Sequence, residues 1–235
     1  MKMKWIASLV LNICLFGVAS FANSSTIISA SSVSTSDFST LYPSDIHIVD
    51  TINQNGLATH YFSGSTDWDT YFAGGGPLHN QDWNNQEWFS APQLDAGGYS
   101  ASDIQGSIDF DLGSVFKIDG LALWNEDSFG IGKFDVWVSE NGSSWSRVIQ
   151  DYVPTNWSYD VPYTANLLNW TATDIRFVRL TITEGGFKEP TAQYGVAIGE
   201  IAFSGTNPVP EPATIALMGI GLAGILGRKL SRKKK

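Results

Sequence analysis

The sequence predicts an all-β chain folded as a β-sandwich. Three observations carry this. Several separate runs alternate apolar with polar residues, the period of a strand buried on one face. Glycine and asparagine punctuate those runs where turns are needed. No window of the body spaces its apolar residues as an amphipathic helix would.

The elements follow in chain order. Lys2 and Lys4 precede an apolar stretch from Ile6 to Ala19, and Ser20-Phe21-Ala22 offers small residues at the two positions a signal peptidase reads. Residues 1–22 therefore read as a cleavable signal peptide, handled by signal peptidase and ending at Ala22. The only cysteine, Cys14, lies inside it, so the exported part has neither thiol nor disulfide. Residues 23–45 form a Ser/Thr-rich lead, either flexible or a ragged edge strand. The sandwich is expected over residues 46–205.

Within it, Ile108, Phe110 and Leu112 alternate with Asp109 and Asp111, which makes a strand with both acids on the exposed face. Leu121-Ala122-Leu123-Trp124 is apolar on both faces and reads as an inner strand. Phe134, Val136 and Val138 form another alternating set, closed by a hairpin turn at Asn141-Gly142. Val178, Leu180 and Ile182 make a further strand, and Val196 to Phe203 the last.

Charge divides the chain. Between the signal and the C-terminal segment stand six Lys and Arg against 22 Asp and Glu, a net charge of −16. Such a body has no broad basic patch for nucleic acid or anionic lipid. It suits cations or neutral ligands. Residues 206–235 are different. Pro210-Glu211-Pro212 precedes an uncharged run from Ala213 to Gly227, and six basic residues follow from Arg228 to Lys235. As a helix the uncharged run would reach about 22 Å, short of a hydrocarbon core of about 30 Å unless Leu230 and snorkelling basic stems extend it. The basic end would stay cytoplasmic and leave the body outside.

The order Pro210-Glu211-Pro212, apolar run, basic end resembles the PEP-CTERM sorting signal of Gram-negative bacteria. The resemblance implies a transmembrane sorting helix and an exosortase-type enzyme as partner. It also implies an inner-membrane-anchored stage facing the periplasm, then a place at the cell surface or in a biofilm matrix with exopolysaccharide. A second resemblance lies in the body. SIDFDLGSVFKIDGLALWN, FDVWVSENGSSW, IRFVRLTIT and AIGEIAFSG, in that order, are similar to the discoidin or coagulation-factor type C family, galactose-binding-like jelly rolls. That likeness implies a jelly-roll β-sandwich, mostly non-catalytic, binding sugars, lipids or proteins through loops.

Two sets of side chains stand out. Glu200 falls by alternation on one face with Val196, Ile198 and Ala202, where a carboxylate is costly unless it is paired or holds a metal. In the resembled family a Glu in this position helps hold a structural calcium, and Asp82 and Asn80 in the oxygen-rich loop HNQDWNNQEW would be its partners. The alternative is an ion pair with Arg176 or Arg179, or an exposed edge. The other set is loop aromatics: Trp68, Tyr71 and Phe72 in STDWDTYFAGGGP, and Trp157 and Tyr159 in PTNWSYDVP. Exposed rings stack on sugars and neighbouring acids and amides bond hydroxyls, although such rings also fold back as satellite core. Trp83, Trp88, Trp124 and Trp145 read as core. His47, His60 and His79 have no metal-ligand spacing, and no nucleophile elbow or phosphate loop is present. Asp67 with Asp69 is a conceivable carboxylate pair for glycoside hydrolysis, without a supporting group. The reading is thus an exported, non-catalytic binding module for carbohydrate, with a ligand-free matrix or adhesion protein as the alternative and a polysaccharide hydrolase as the remote one.

Overall fold

Two long strands are the spine of the fold in the computed structural model, which describes residues 24–41, 46–82, 84–90, 100–126, 129–155, 161–188 and 193–206. The signal peptide, Trp83, Trp157, Tyr159, Pro210, Glu211, Pro212 and the apolar tail lie outside the described residues. The spine strands are β4 (Gly106–Asn125) and β7 (Asn166–Glu184), paired antiparallel from Gly106↔Ile182 to Leu123↔Asn166. The stretches read from sequence as two strands, around Ile108 and around Leu121, are one strand with two register shifts, Asp111/Phe116 and Ile118/Gly120. Such irregularities bend a strand and let it serve both layers of a sandwich.

The first half of β4 pairs with β2 (Ser32–Ser34), while β7 pairs with β5 (Lys133–Ser139) and β5 with β6 (Ser146–Tyr152). The second half of β4 pairs with β10 (Ala197–Thr206), which also pairs β1 (Thr26–Ile28) and β3 (Trp88–Phe89). The hydrogen-bonded path runs β1-β10-β4-β7-β5-β6, and a separate two-stranded sheet joins β8 (Gly186–Lys188) to β9 (Gln193–Gly195). Ile27 and Ile28 thus put part of the Ser/Thr-rich lead into the sandwich as an ordered strand. The hairpin at Asn141-Gly142 forms as expected, with Gly142 at φ +73° and Asn141 Oδ1 accepting from the Ser143 and Ser144 amides.

The main core draws on both halves of β4: Ile108 and Phe110 from the first, Leu121 and Leu123 from the second, with Phe134, Val178, Leu180, Ile198 and Phe203. The second half of β4 is buried on its other face too. Ala122 and Trp124 there meet Ala202, Ile27, Leu57, Tyr61, Tyr163, Trp68 and Phe72. The last two belong to α1 (Trp68–Phe72), the one α-helix among the described residues. Five residues are too few to show a helical period, so pattern reading passes over it. Its start is set locally: Asp67 Oδ1 accepts from the Thr70 amide at 2.8 Å as the N-cap, and hydrogen bonds from the Thr70 hydroxyl and amide hold the Asp67 carboxyl below its ordinary value. No helix of the described residues is long and apolar enough to cross a membrane.

Asp109 and Asp111 do lie on the outer face, but they are paired. Arg179 grips Asp109 with two bonds of 2.6 and 2.7 Å, and Arg176 grips Asp111 with two of 2.9 and 3.0 Å. Bidentate geometry of this kind fixes the cross-strand register as well as the charge. Arg179 also lies over the Trp145 ring at 4.4 Å.

Candidate functional site

Glu200 sits where β10 slips. Its register against β4 shifts between Ile198 and Glu200, so the alternation read from sequence is broken there. Val196 and Ile198 enter the main core, whereas Ala202 joins the second cluster. Glu200 pairs with Trp124 in register and is wholly buried. The exposed-edge alternative is therefore overturned, and so is pairing with arginine, because Arg176 and Arg179 are held by Asp111 and Asp109.

The Glu200 carboxylate accepts from the Gln54 amide at 2.7 Å and from the Tyr61 hydroxyl at 3.3 Å. Burial pushes its carboxyl well above the ordinary value and the Asp50 charge adds to the push, while the two hydrogen bonds pull back. Asp50, at the start of the 3-10 turn Ile48–Ile52, is itself raised by burial and accepts from the His47 amide and Asn53 Nδ2. Both interior carboxylates are thus met by N–H and O–H donors of the protein and by no cationic side chain that these bonds show. Asn80 and Asp82 stand differently. Asn80 Oδ1 accepts from the Asp82 amide at 3.2 Å, and Asp82 is exposed. Among the described residues, no group of three or more His, Cys, Asp or Glu side chains is placed to hold a metal ion.

His79 braces this region from the other side. It is wholly buried and stacks on Tyr163 with ring centroids 5.1 Å apart. Its Nδ1–H donates to the Asn80 carbonyl at 2.8 Å, and Glu87, which accepts from the Tyr163 hydroxyl at 2.5 Å, lies 3.5 Å from the same nitrogen. Gly56 and Gly199 leave the space the ring occupies: a Cβ at Gly56 would stand 2.0 Å from the imidazole, and one at Gly199 2.3 Å from Tyr163 Oη.

A cavity of about 510 Å³ opens on the outer face of the second sheet half. Trp68, Phe72 and Trp170 give it aromatic walls, and Asp69, Asp119, Asn169, Ser25 and Ser204 give it polar ones. Gly120 lies against the same wall: a Cβ there would stand 2.9 Å from Asn169 Oδ1 and 3.5 Å from Ser204 Cβ. Asp119 Oδ2 accepts from Ser25 Oγ at 3.1 Å, but Asp119 Oδ1 and Trp170 Nε1 are buried with no hydrogen-bond partner among the described residues. Leaving such groups unmade is costly, so their gathering in two side chains of one cavity is informative.

The aromatics singled out from sequence divide. Trp68 and Phe72 line the cavity yet are only 6% and 7% exposed, with rings 4.4 Å apart, so they are wall and core at once and not free platforms. Tyr71 turns elsewhere; its hydroxyl donates to the Thr59 carbonyl and its ring meets Tyr61 edge-on. Trp88 and Trp124 are core, while Trp145 is a half-buried surface ring under Arg179. Asp119 and Asp50 carry no site signal in the sequence, and Asn169 and Trp170 carry only the Asn-Trp-Thr spacing of a glycosylation acceptor, which in a Ser/Thr-rich chain reads as chance. Asn169 and Trp170 stand on β7 within NLLNWTATD, whose weak alternation alone points to a strand with a wet face.

Comparison with known proteins agrees with this architecture. Residues 79–196 match the F5/8 type C domain, half of the chain, and residues 208–233 match the PEP-CTERM protein-sorting motif. No curated protein matches the chain. Among solved structures, a fragment of a provisionally named chitobiase from Bacteroides thetaiotaomicron shares the fold at TM-score 0.50 and 14% identity, covering 83% of this chain and 100% of that one. The family 32 carbohydrate-binding module of Clostridium perfringens NanJ, solved with galactose, gives TM-score 0.46 at 11% identity over 77% of this chain and 98% of its own. Chitosan-binding module 1 of a Paenibacillus sp. IK-5 chitosanase/glucanase gives 0.45 at 13% identity, over 75% and 95%.

Proposed function

The chain belongs to the F5/8 type C domain family and carries a PEP-CTERM protein-sorting motif, and from that premise we propose that it is a non-catalytic carbohydrate-binding module displayed at the bacterial surface or in the extracellular matrix. The motif marks an exported protein sorted through a membrane-anchored intermediate, with an exosortase-type enzyme as its processing partner. The observation that carries the binding reading is the cavity between Trp68, Trp170, Asp119 and Asn169, with an unpartnered acceptor and an unpartnered donor on two of its lining side chains. A sugar ring supplies what these walls lack: hydroxyls that both donate and accept, and C–H faces that pack on indoles. Exopolysaccharide is the ligand class we assign.

The experiment is a glycan panel read by calorimetry. Trp68→Phe keeps the core filled, and Asn169→Ala removes a polar wall group. Saturable binding weakened by both, with melting unchanged in Asn169→Ala, is the expected result. No binding to any glycan would leave the matrix or adhesion reading in its place. One observation favours hydrolysis instead: Asp69 and Asp119 line one cavity. Release of reducing ends from a bound polysaccharide would establish it. For the buried carboxylates, we assign a structural calcium to the Glu200 and Asp50 side of the β10 slip, with Asn80 and Asp82 as the loop donors the family resemblance suggests. Calcium there would supply charge neutralisation and a fixed loop.

A further inference from the structure

Resting on the reading of the cavity as a sugar site, we propose that its ligand is an amino sugar, a glucosamine-type residue whose free amine is received by Asp119. The chemistry of the walls selects it. Two carboxylates, Asp69 and Asp119, line the cavity, and none of the described residues lining it is basic. The two cations nearest in the sheet pattern are already committed: Lys117 pairs with Asp174, and Arg176 with Asp111. A uronic acid would meet repulsion from both carboxylates and no compensating donor of positive charge. A neutral sugar would offer hydroxyls but no positive charge to either carboxylate.

An ammonium answers both. Asp119 Oδ2 is tied to Ser25 Oγ, which holds the carboxylate in place, while Oδ1 has no partner among the described residues. A charge-assisted N–H···O bond to that oxygen is the stronger kind of hydrogen bond. Trp68, Phe72 and Trp170 line the same cavity, and aromatic walls attract a cation as well as packing against a sugar ring. Trp170 Nε1–H, also without a protein partner, is a donor for a ring hydroxyl. The body's net charge of −16 adds a long-range field that draws in a polycation and repels a polyanion.

The test uses the full chain in detergent and two probes of equal length and linkage, a β-1,4-glucosamine oligomer and its fully N-acetylated counterpart. At mildly acidic pH and low salt the free-amine oligomer is expected to bind about tenfold tighter or more, the worth of one charge-assisted bond. Asp119→Asn is expected to abolish the preference while the acetylated oligomer still binds and the melting temperature holds. Glu140→Gln, an exposed acid on the β5–β6 turn, is expected to leave the preference intact. Equal affinity of the two probes would overturn the amine assignment and leave the sugar site standing. A preference that survives Asp119→Asn would overturn it too, as a general effect of surface charge. Binding of neither probe nor any other glycan would remove the sugar site itself, and this inference with it.

Discussion

Glu200→Gln tests the interior of the domain most directly. The carboxylate is wholly buried, and its hydrogen-bond partners are a backbone amide and a phenol, neither of them charged. Taking a carboxylate out of water costs several kcal/mol after relaxation, and each hydrogen bond to a charged acceptor returns about 1.5–3 kcal/mol. The Asp50 charge adds to the cost. The amide is isosteric. It can accept from Gln54 and donate to the Tyr61 hydroxyl, which then accepts. In chelator at neutral pH, Glu200→Gln is therefore expected to stabilise by about 1–3 kcal/mol, and for a domain of this size each kcal/mol moves the melting temperature by roughly 2–4 °C. The sign with pH follows from linkage. The folded carboxyl binds its proton more tightly than the unfolded one, whose ordinary value is 4.5, so wild-type stability falls as pH rises above that value. The variant is expected to flatten that slope. Calcium at 100 times its dissociation constant would add about 2.7 kcal/mol to wild type and nothing to the variant, reversing their order. Differential scanning fluorimetry across pH, with calcium and with chelator, reads all of this. A variant that melts below wild type in chelator, with an unchanged pH slope, would refute the reasoning.

Further expectations concern packing and charge. Trp68→Ala should lose about 3–5 kcal/mol in urea unfolding, because the indole is core as well as cavity wall. Gly56→Ala should cost about 1–3 kcal/mol or more, since its methyl would overlap the His79 ring, and adding His79→Ala should restore part of the loss in the same assay. Asp111→Asn should cost about 1 kcal/mol or less, Arg176 being largely exposed. Arg176 holds the Asp111 carboxyl below its ordinary value, so that difference is present near neutrality and closes as acid protonates the carboxylate.

The alternating runs made the sandwich legible, because Ile108, Phe110, Val136, Val178 and Leu180 do face one core. What broke the reading was local. One register slip beside Gly199 moved Glu200 from the face that parity assigned to it, and parity carries no mark of a bulge. The acids of β4 read correctly as outward-facing, but their arginines lie about 70 residues away in sequence, beyond any periodic signal. The cavity was half visible. Trp68 and Phe72 stand out in the sequence as loop aromatics, while Asp119, Asn169 and Trp170 reach them only through the pairing of β4 with β7, as Gly120↔Asn169 shows. Asp50 carried no signal beyond being one acid among many.

The position of β10 has a mechanical meaning. Thr206 is the last described residue and the end of a strand bonded to β1 on one side and β4 on the other. A pull applied at Thr206 in line with the strand would run along β10. Its cross-strand bonds would share the load in shear, all resisting together, where a pull across the strand would open them one by one. Ser204 and Ser25, which flank that exit and its β1 neighbour, also line the cavity. Tension entering at Thr206 would thus pass through the strand beside the cavity, so that any load on the C-terminal side and the cavity wall share one short stretch of backbone.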